Sequence, residues 1–371
     1  MKIIFCDNTL WGLVNFRGEV IRHLVKFGHK VILVAPEKED KQMRTKIPEG
    51  VKYIPVVMGR TSLNPINDFK YFIRMLRIFK REKPDYIFTY TIKPNIYGSI
   101  AARLVGCHST AMMAGLGYIF INDSFVLRSA RKLYRFGLSF TDHIMLLNQY
   151  NRQLVLNKHM CSANKIILLE GGEGINIDNY KKYDNASNET TFLFIGRILW
   201  DKGYDEFSCA ARKVKETYPN AKFELLGSLD PSYPKSVPLE RLKKDEADGI
   251  LKYIGFTSDM NEVYSRRGIV MTLPSYSEGM NRALMEACAT GKPIITSDIP
   301  GCREAVEEGK NGYLVPVRDA DALADAMIRY LQMSDAEKQA FSDNSRRKAE
   351  ELFDVRKVIS KYDDILNSNV H

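Results

Sequence analysis

IVMTLPSYSEGMNRALMEACATG, residues 269–291, decides how the chain is read. It opens on an apolar, partly β-branched run, passes through a small polar loop and closes on a helical pattern. At about 100° per residue, Met280, Ala283, Leu284, Ala287 and Cys288 fall on one stripe, the spacing of an amphipathic helix starting near Gly279. A strand followed at once by a helix is half of a βαβ unit and predicts a parallel sheet. Glu278 and Glu286 lie off the apolar stripe, roughly 80° apart on the same wheel. Arg282 stands between them at i, i+4, i+8 spacing. Periodicity alone describes a surface ion-pair ladder, each pair contributing about 0.2–0.5 kcal/mol. The free N–H groups at such a helix start also suit a ligand, and an acid beside them would bond hydroxyls and repel phosphate. Both readings are open at this point.

The same alternation runs from end to end. KIIFCDN (2–8), KVILVAP (30–36), YIPVVM (53–58), DYIFTY (85–90), STAMMAG (109–115) and HIMLLN (143–148) read as strands. Helical stretches such as GEVIRHLVKFG (18–28) and NIYGSIAARLVG (95–106) separate them. A Gly-, Asn- and Asp-rich segment, KIILLEGGEGINIDNYKKYDNASNET (165–190), breaks the rhythm and reads as a linker. A second series follows: TFLFIGR (191–197), KFELLGS (222–228), LKYIGF (251–256), IVMTLP, KPIITSD (292–298) and NGYLVP (311–316). The expected fold is α/β: two Rossmann-like doubly wound domains facing across a cleft, residues 1–172 and 173–354, with a C-terminal helix, 355–371, returning to the first. Ligands in such sheets bind beyond the carboxyl ends of the strands.

Bulk composition fits a globular chain of 371 residues, 45% hydrophobic and 27% charged. No run of about 18 apolar residues predicts a membrane span, and the N-terminus reads as a first strand and not a secretory signal. The six cysteines show no zinc spacing and read as reduced thiols of a cytoplasmic protein. The net charge of +9 is uneven, with 26 Lys/Arg against 12 Asp/Glu in residues 1–172. A basic first half suits an anionic partner: nucleic acid, an anionic membrane surface or a diphosphate-bearing substrate. DAD at Asp319–Asp321 follows a strand and opens a helix, where acids complement the dipole; no metal site is expected.

TFLFIGR ends in Gly196-Arg197, and Lys202 stands in the loop before a helix beginning near Gly203. Two cations and free amides at a strand's carboxyl end suit a diphosphate; a basic surface loop is the other reading, and spacing alone leaves both open. Together, GRILWDKG (196–203) and SYSEGMNRALMEACATGKPIITSDIPGCREAVEEGKNGYLVP (275–316) resemble the GT-B glycosyltransferases of family 4. These are retaining, metal-independent enzymes with nucleotide-sugar donors and no cofactor. Their E-x7-E signature matches Glu278 and Glu286, and their Arg/Lys pair matches Arg197 and Lys202, about 80 residues upstream. The downstream G-x-x-E runs from Gly301 to Glu304. The resemblance implies that Arg197 and Lys202 bind the donor diphosphate, Glu278 contacts the transferred sugar and Glu286 holds the ribose. It further implies that backbone amides of Gly279, Met280, Asn281, Arg282, Ala283 and Leu284 touch the donor, and that Gly255-Phe256 lies beside the base. The polar side of the helix then faces a ligand.

MGRTSLNP (58–65), TYTIKPNIYGS (89–99) and AGLGYIF (114–120) resemble the branch that elongates undecaprenyl-diphosphate-linked sugars, N-acetylgalactosaminyl transfer among its activities. Arg60, Lys93, Asn95, Gly115, Gly117 and Tyr118 are then acceptor candidates. Two departures stand out. TYTI (89–92) lacks the histidine many members carry near the fourth strand, and LVNFRGE (13–19) replaces a Gly-Gly loop, with Asn15 and Arg17 as substitutes. In DFKYFIRMLRIFKREKP, Lys70, Arg74, Arg77 and Arg81 recur along one helix face, and Phe69, Phe72, Ile73, Leu76 and Phe79 occupy much of the other. LRSARKLYRFG adds a second basic helix. A solvated face is the default reading; docking to an anionic bilayer at about 1 kcal/mol per basic residue is the functional one. The expected activity is transfer of a hexose or N-acetylhexosamine, UDP-linked, to a polyprenyl-diphosphate-linked sugar at the inner face of the cytoplasmic membrane. A soluble acceptor, a GT-B epimerase and a basic nucleic-acid-binding protein are the alternatives, the last predicting steeply salt-dependent affinity.

Overall fold

The computed structural model of the chain describes residues 1–37, 44–59, 64–115, 125–185, 187, 189–257 and 259–368. Arg60, Gly117 and Tyr118 lie outside them. The chain forms two compact units: Met1–Glu173 together with Val355–His371, and Gly174–Asp354.

The first unit holds seven strands: β1 (Lys2–Cys6), β2 (Lys30–Ala35), β3 (Lys52–Pro55), β4 (Tyr86–Tyr90), β5 (His108–Met113), β6 (His143–Leu146) and β7 (Ile166–Leu168). All pair in parallel, in the order β3-β2-β1-β4-β5-β6-β7. Their continuous apolar runs are those of strands covered on both faces. On one face Ile4, Ile32, Val34 and Ile87 meet Tyr71, Met75, Ile78 and Phe79 of helix Pro65–Glu82. The last helix, Val355–Ser368, belongs to this unit: Tyr362 lies 4.7 Å from the Phe88 ring, and its hydroxyl is 2.7 Å from that of Tyr90.

The second unit holds β8 (Thr191–Ile195), β9 (Lys222–Leu226), β10 (Lys252–Tyr253), β11 (Ile269–Leu273), β12 (Ile294–Ser297) and β13 (Gly312–Val315). They pair in parallel in the order β10-β9-β8-β11-β12-β13. In each sheet the chain starts in the middle, builds outward one way and then returns to build the other. The order therefore reverses between β1 and β4 and again between β8 and β11, the switch points where doubly wound sheets place ligands.

Three details differ from the sequence reading. The supposed linker contributes β7 and buries Ile175 and Ile177 in the second core. The helix expected near Gly279 begins at Arg282, because the Asn281 side chain accepts the Leu284 N–H and caps it there. Phe69, placed with the apolar face of its helix, is 63% exposed, as is Ile66 at 65%. Among the described residues no helix is long and apolar enough to cross a membrane.

Candidate active site

In the second unit the functional candidates gather at the carboxyl ends of the strands on either side of the switch point. After β8 the chain makes a short 3-10 turn, Trp200–Lys202, and enters helix Tyr204–Thr217 through Gly203. Gly203 has φ 83°, and a Cβ there would sit 2.2 Å from the carbonyl oxygen of Pro274, just beyond β11. Only glycine permits both the backbone and the approach. The loops are also laced together, the Tyr276 N–H donating to the Asp201 carbonyl at 3.0 Å. This closeness brings Lys202 to Glu278: the ammonium meets the carboxylate at 2.5 Å, with side chains 18% and 10% exposed.

The ladder expected from periodicity is therefore split. Arg282 and Glu286 do pair at i, i+4, 2.8 Å apart. Glu278 precedes the helix and binds across the switch point to Lys202 instead. Glu286 is buried, and its Oε1 accepts a second bond at 2.8 Å from the Tyr180 hydroxyl. No local pattern points to Tyr180, which lies 106 positions away. Burial, with Glu286 beside it, pushes the Tyr180 phenol up to about 12, so it stays a proton donor.

Of the six backbone amides nominated, two are engaged internally. The Asn281 N–H donates to the Gly301 carbonyl at 3.1 Å, and the Leu284 N–H to the capping Asn281 side chain at 3.2 Å. Glu304 of the G-x-x-E segment secures this arrangement by accepting the Gly301 N–H at 2.7 Å. Gly279 lies directly behind, since a Cβ on Gly301 would come 1.8 Å from its oxygen.

Arg197 is exposed at the end of β8, its guanidinium 4.8 Å from the Tyr233 ring centroid. The neighbouring strand ends carry Gly227 and Gly255, joined by a 2.8 Å bond from the Gly227 N–H to the Gly255 carbonyl. Phe256 follows, 74% exposed. An apolar ring standing in solvent beside a row of glycines at strand ends is a platform on which a flat group can stack. In DAD, Asp319 caps helix Ala320–Leu331 by accepting the Ala322 N–H at 2.8 Å, and Asp321 pairs with Lys213.

The first unit has a cavity of about 250 Å³ at its own switch point. Asn8 after β1, Thr91, Ile92 and Lys93 after β4, and Met113 to Gly115 at the end of β5 line it. Lys93 and Gly115 thus reach one place. Lys93 is paired with Asp68 at 2.6 Å and also donates to the Gly59 carbonyl at 2.7 Å. Thr91 has φ 65°, a left-handed conformation that a β-branched residue rarely takes and that clusters at functional sites.

Two nominated residues prove to be internal. Asn95 is fully buried, and its amide donates to the Met112 carbonyl at 2.8 Å and the Tyr134 hydroxyl at 2.9 Å. It holds the backbone behind the cavity and is not presented to an acceptor. Arg17 is 4% exposed, pairs with Glu173 at 2.9 Å and Asp7 at 3.4 Å, and lies 4.3 Å from the Tyr90 ring centroid. Its charge is committed to the unit's interior, so it does not stand in for a donor-binding loop. Asn15 donates to the Trp11 carbonyl at 2.8 Å, within its own helix Leu10–Phe16.

Two family profiles match the chain. The one described as glycosyl transferases group 1 covers residues 176–348, and the one described as Glycosyltransferase Family 4 covers residues 12–172. The chain belongs to the family 4 glycosyltransferases. This glycosyltransferase is 28% identical over 350 residues, 90% of each chain, to the N,N'-diacetylbacillosaminyl-diphospho-undecaprenol alpha-1,3-N-acetylgalactosaminyltransferase of Campylobacter jejuni. It is 26% identical, over 88% of its own length and 87% of the relative's, to the UDP-Gal:alpha-D-GlcNAc-diphosphoundecaprenol alpha-1,3-galactosyltransferase of Escherichia coli. Its fold is shared by a glycosyltransferase from Rickettsia africae, with a TM-score of 0.80 at 19% identity and coverage of 100% and 98% of the two chains. The GT-B architecture expected from the sequence is the one present.

Proposed function

We propose that this glycosyltransferase moves a hexose or N-acetylhexosamine from a UDP-linked donor to a sugar carried on polyprenyl diphosphate, with retention of anomeric configuration. The observation that carries the acceptor half is similarity over most of the chain to two transferases whose names both specify an undecaprenyl-diphosphate-linked sugar. One of those names also specifies a UDP donor.

The second unit supplies donor chemistry. Arg197 and Lys202 take the diphosphate. An ammonium has three donors, so Lys202 can keep Glu278 while donating to a phosphate oxygen. The pairing offsets the charge on Glu278, which would otherwise repel the diphosphate, and leaves the carboxylate to accept hydroxyls of the transferred sugar. Phe256 stacks on the base, Glu286 accepts from the ribose, and the amides of Gly279, Met280 and Ala283 complete the cradle. The reaction is a front-face substitution at the anomeric carbon, in which the leaving diphosphate takes the acceptor hydroxyl's proton. Stabilising the charge that develops on that leaving group is the largest catalytic contribution, and it falls to Arg197 and Lys202 without a metal ion.

The cavity holding Lys93 and Gly115 receives the acceptor, with Lys93 directed at its phosphate. Exposed Ile66 and Phe69 beside exposed Lys70 and Arg77 suit docking to an anionic bilayer, which supports a position on the inner face of the cytoplasmic membrane. The nucleic-acid alternative is not favoured, since both halves of the chain match enzyme families. The test is to offer UDP-, GDP- and dTDP-sugars with a polyprenyl-diphosphate sugar and assign the new linkage by NMR. One donor, transferred with the donor's own anomeric configuration, is expected; an inverted linkage would overturn the mechanism. Transfer to a soluble sugar with no lipid or detergent would overturn the acceptor assignment.

A further inference from the structure

We propose that Tyr180 is the positioning residue that aims Glu286 at the ribose of the donor nucleotide, and so sets preference for ribonucleotides over deoxyribonucleotides. The inference rests on the reading that Glu286 accepts from that ribose.

Glu286 receives two side-chain bonds, from the Tyr180 hydroxyl and from Arg282 Nε, each 2.8 Å long and both on Oε1. Among the described residues no side chain bonds Oε2. A carboxylate offers about four acceptor positions, and two donors on one oxygen fix its plane while leaving the other oxygen for a ligand. The donors are not equivalent. Arg282 brings the charge that makes a buried carboxylate tolerable, whereas the neutral phenol adds direction only.

Tyr180 is itself held in register with the helix that carries Glu286. Its N–H donates to the Ile177 carbonyl at 3.1 Å, closing the turn Ile177–Asn179. Its own carbonyl accepts from Arg346 at 2.7 Å, and the same Arg346 nitrogen donates at 2.7 Å to Ala289, the last residue of helix Arg282–Ala289. The ring packs against the second unit's core. Backbone and hydroxyl are thus both tied to one helix. Such an arrangement holds a carboxylate in one rotamer, the kind of support that precise ligand recognition requires.

Tyr180→Phe keeps the ring, the Arg346 bridge and the charge balance, and removes only the hydroxyl, with its bonds to Glu286 and Arg282. The experiment measures dissociation constants of UDP and GDP and of their 2′- and 3′-deoxy counterparts for the wild type, Tyr180→Phe and Glu286→Ala, with melting temperatures alongside. The wild type is expected to prefer a ribonucleotide by about tenfold or more, the worth of a hydrogen bond to a charged group. Tyr180→Phe should lose most of that preference with little change in melting temperature, and Glu286→Ala all of it. A Tyr180→Phe variant that discriminates as the wild type does would overturn the positioning role while leaving Glu286 in place. A merely structural tyrosine would lower the melting temperature and leave the ratio unchanged, which overturns the positioning role equally. A wild type that binds neither nucleotide, or does not discriminate, would overturn the Glu286 reading beneath it.

Discussion

Gly203→Ala tests whether the close approach of two loops is what builds the proposed donor site. Alanine at φ 83° costs roughly 1–2 kcal/mol in the left-handed region. Its Cβ would also stand 2.2 Å from the Pro274 oxygen and 2.7 Å from the Pro274 carbonyl carbon, and overpacking of that kind costs about 1–3 kcal/mol. Gly249 is the control: its φ is 69° and a Cβ there meets nothing within 4 Å. Gly249→Ala therefore carries the conformational cost alone, and the difference between the variants, about 1–3 kcal/mol, belongs to the contact with Pro274. At about 2–4 °C per kcal/mol, that is a gap of roughly 2–12 °C. The chain has two tryptophans, and Trp200 lies in the turn before Gly203, so fluorescence melts in a Trp11→Phe background report this unit. The clash is relieved by parting the loops, which separates Lys202 from Glu278, so turnover should fall with stability. Equal melting temperatures for Gly203→Ala and Gly249→Ala, with normal turnover, would show that the contact with Pro274 does not build the site.

Arg197→Ala and Lys202→Ala should each depress kcat by about 10²–10³-fold if each acts as a single charge-stabilising donor; steady-state kinetics with saturating donor checks this. Arg17→Met should destabilise the first unit by about 3–5 kcal/mol, because it strands a buried carboxylate. Burial already raises Asp7 above its usual range against the pull of Arg17, so Asp7 contributes stability most fully below its unfolded pKa and loses it as pH rises through the folded value. Removing Arg17 raises Asp7 further, and the deficit measured by urea titration should be largest at neutral pH and shrink in acid. Tyr362→Ala should cost about 3–5 kcal/mol and lower the melting transition of the first unit, whose sheet Tyr362 covers.

Much of the fold is legible in the sequence. Twelve strands show as apolar runs at regular intervals, because parallel strands buried on both faces read that way. β7 escapes because it is three half-buried residues at the head of a glycine-rich segment. Periodicity puts the helix start three positions early, although the true signal, Asn281 as a cap, is in plain view. That shift matters, since it takes Glu278 well clear of the helix and leaves only the Arg282–Glu286 rung of the ladder. Lys202 and Glu278 are each legible as candidate site residues, but their direct pairing depends on Gly203 and Pro274 touching, a tertiary contact with no local trace. Tyr180 and the burial of Arg17 and Asn95 are illegible for the same reason: partners 106 positions apart, as in Tyr180 and Glu286, leave no periodicity. Phe69 is misplaced by a helix wheel, which sorts residues by face but does not say where the covering sheet ends.

If a donor site on the second unit serves a lipid-diphosphate acceptor, the two must be coupled in turnover. UDP release from UDP-sugars, measured with and without a polyprenyl-diphosphate-linked sugar in detergent micelles, reads that coupling. Release from one UDP-sugar is expected to depend on the lipid-linked acceptor and to be lost in Lys202→Ala. Release that is indifferent to the acceptor, or that survives loss of Lys202, would contradict the coupling of these two sites.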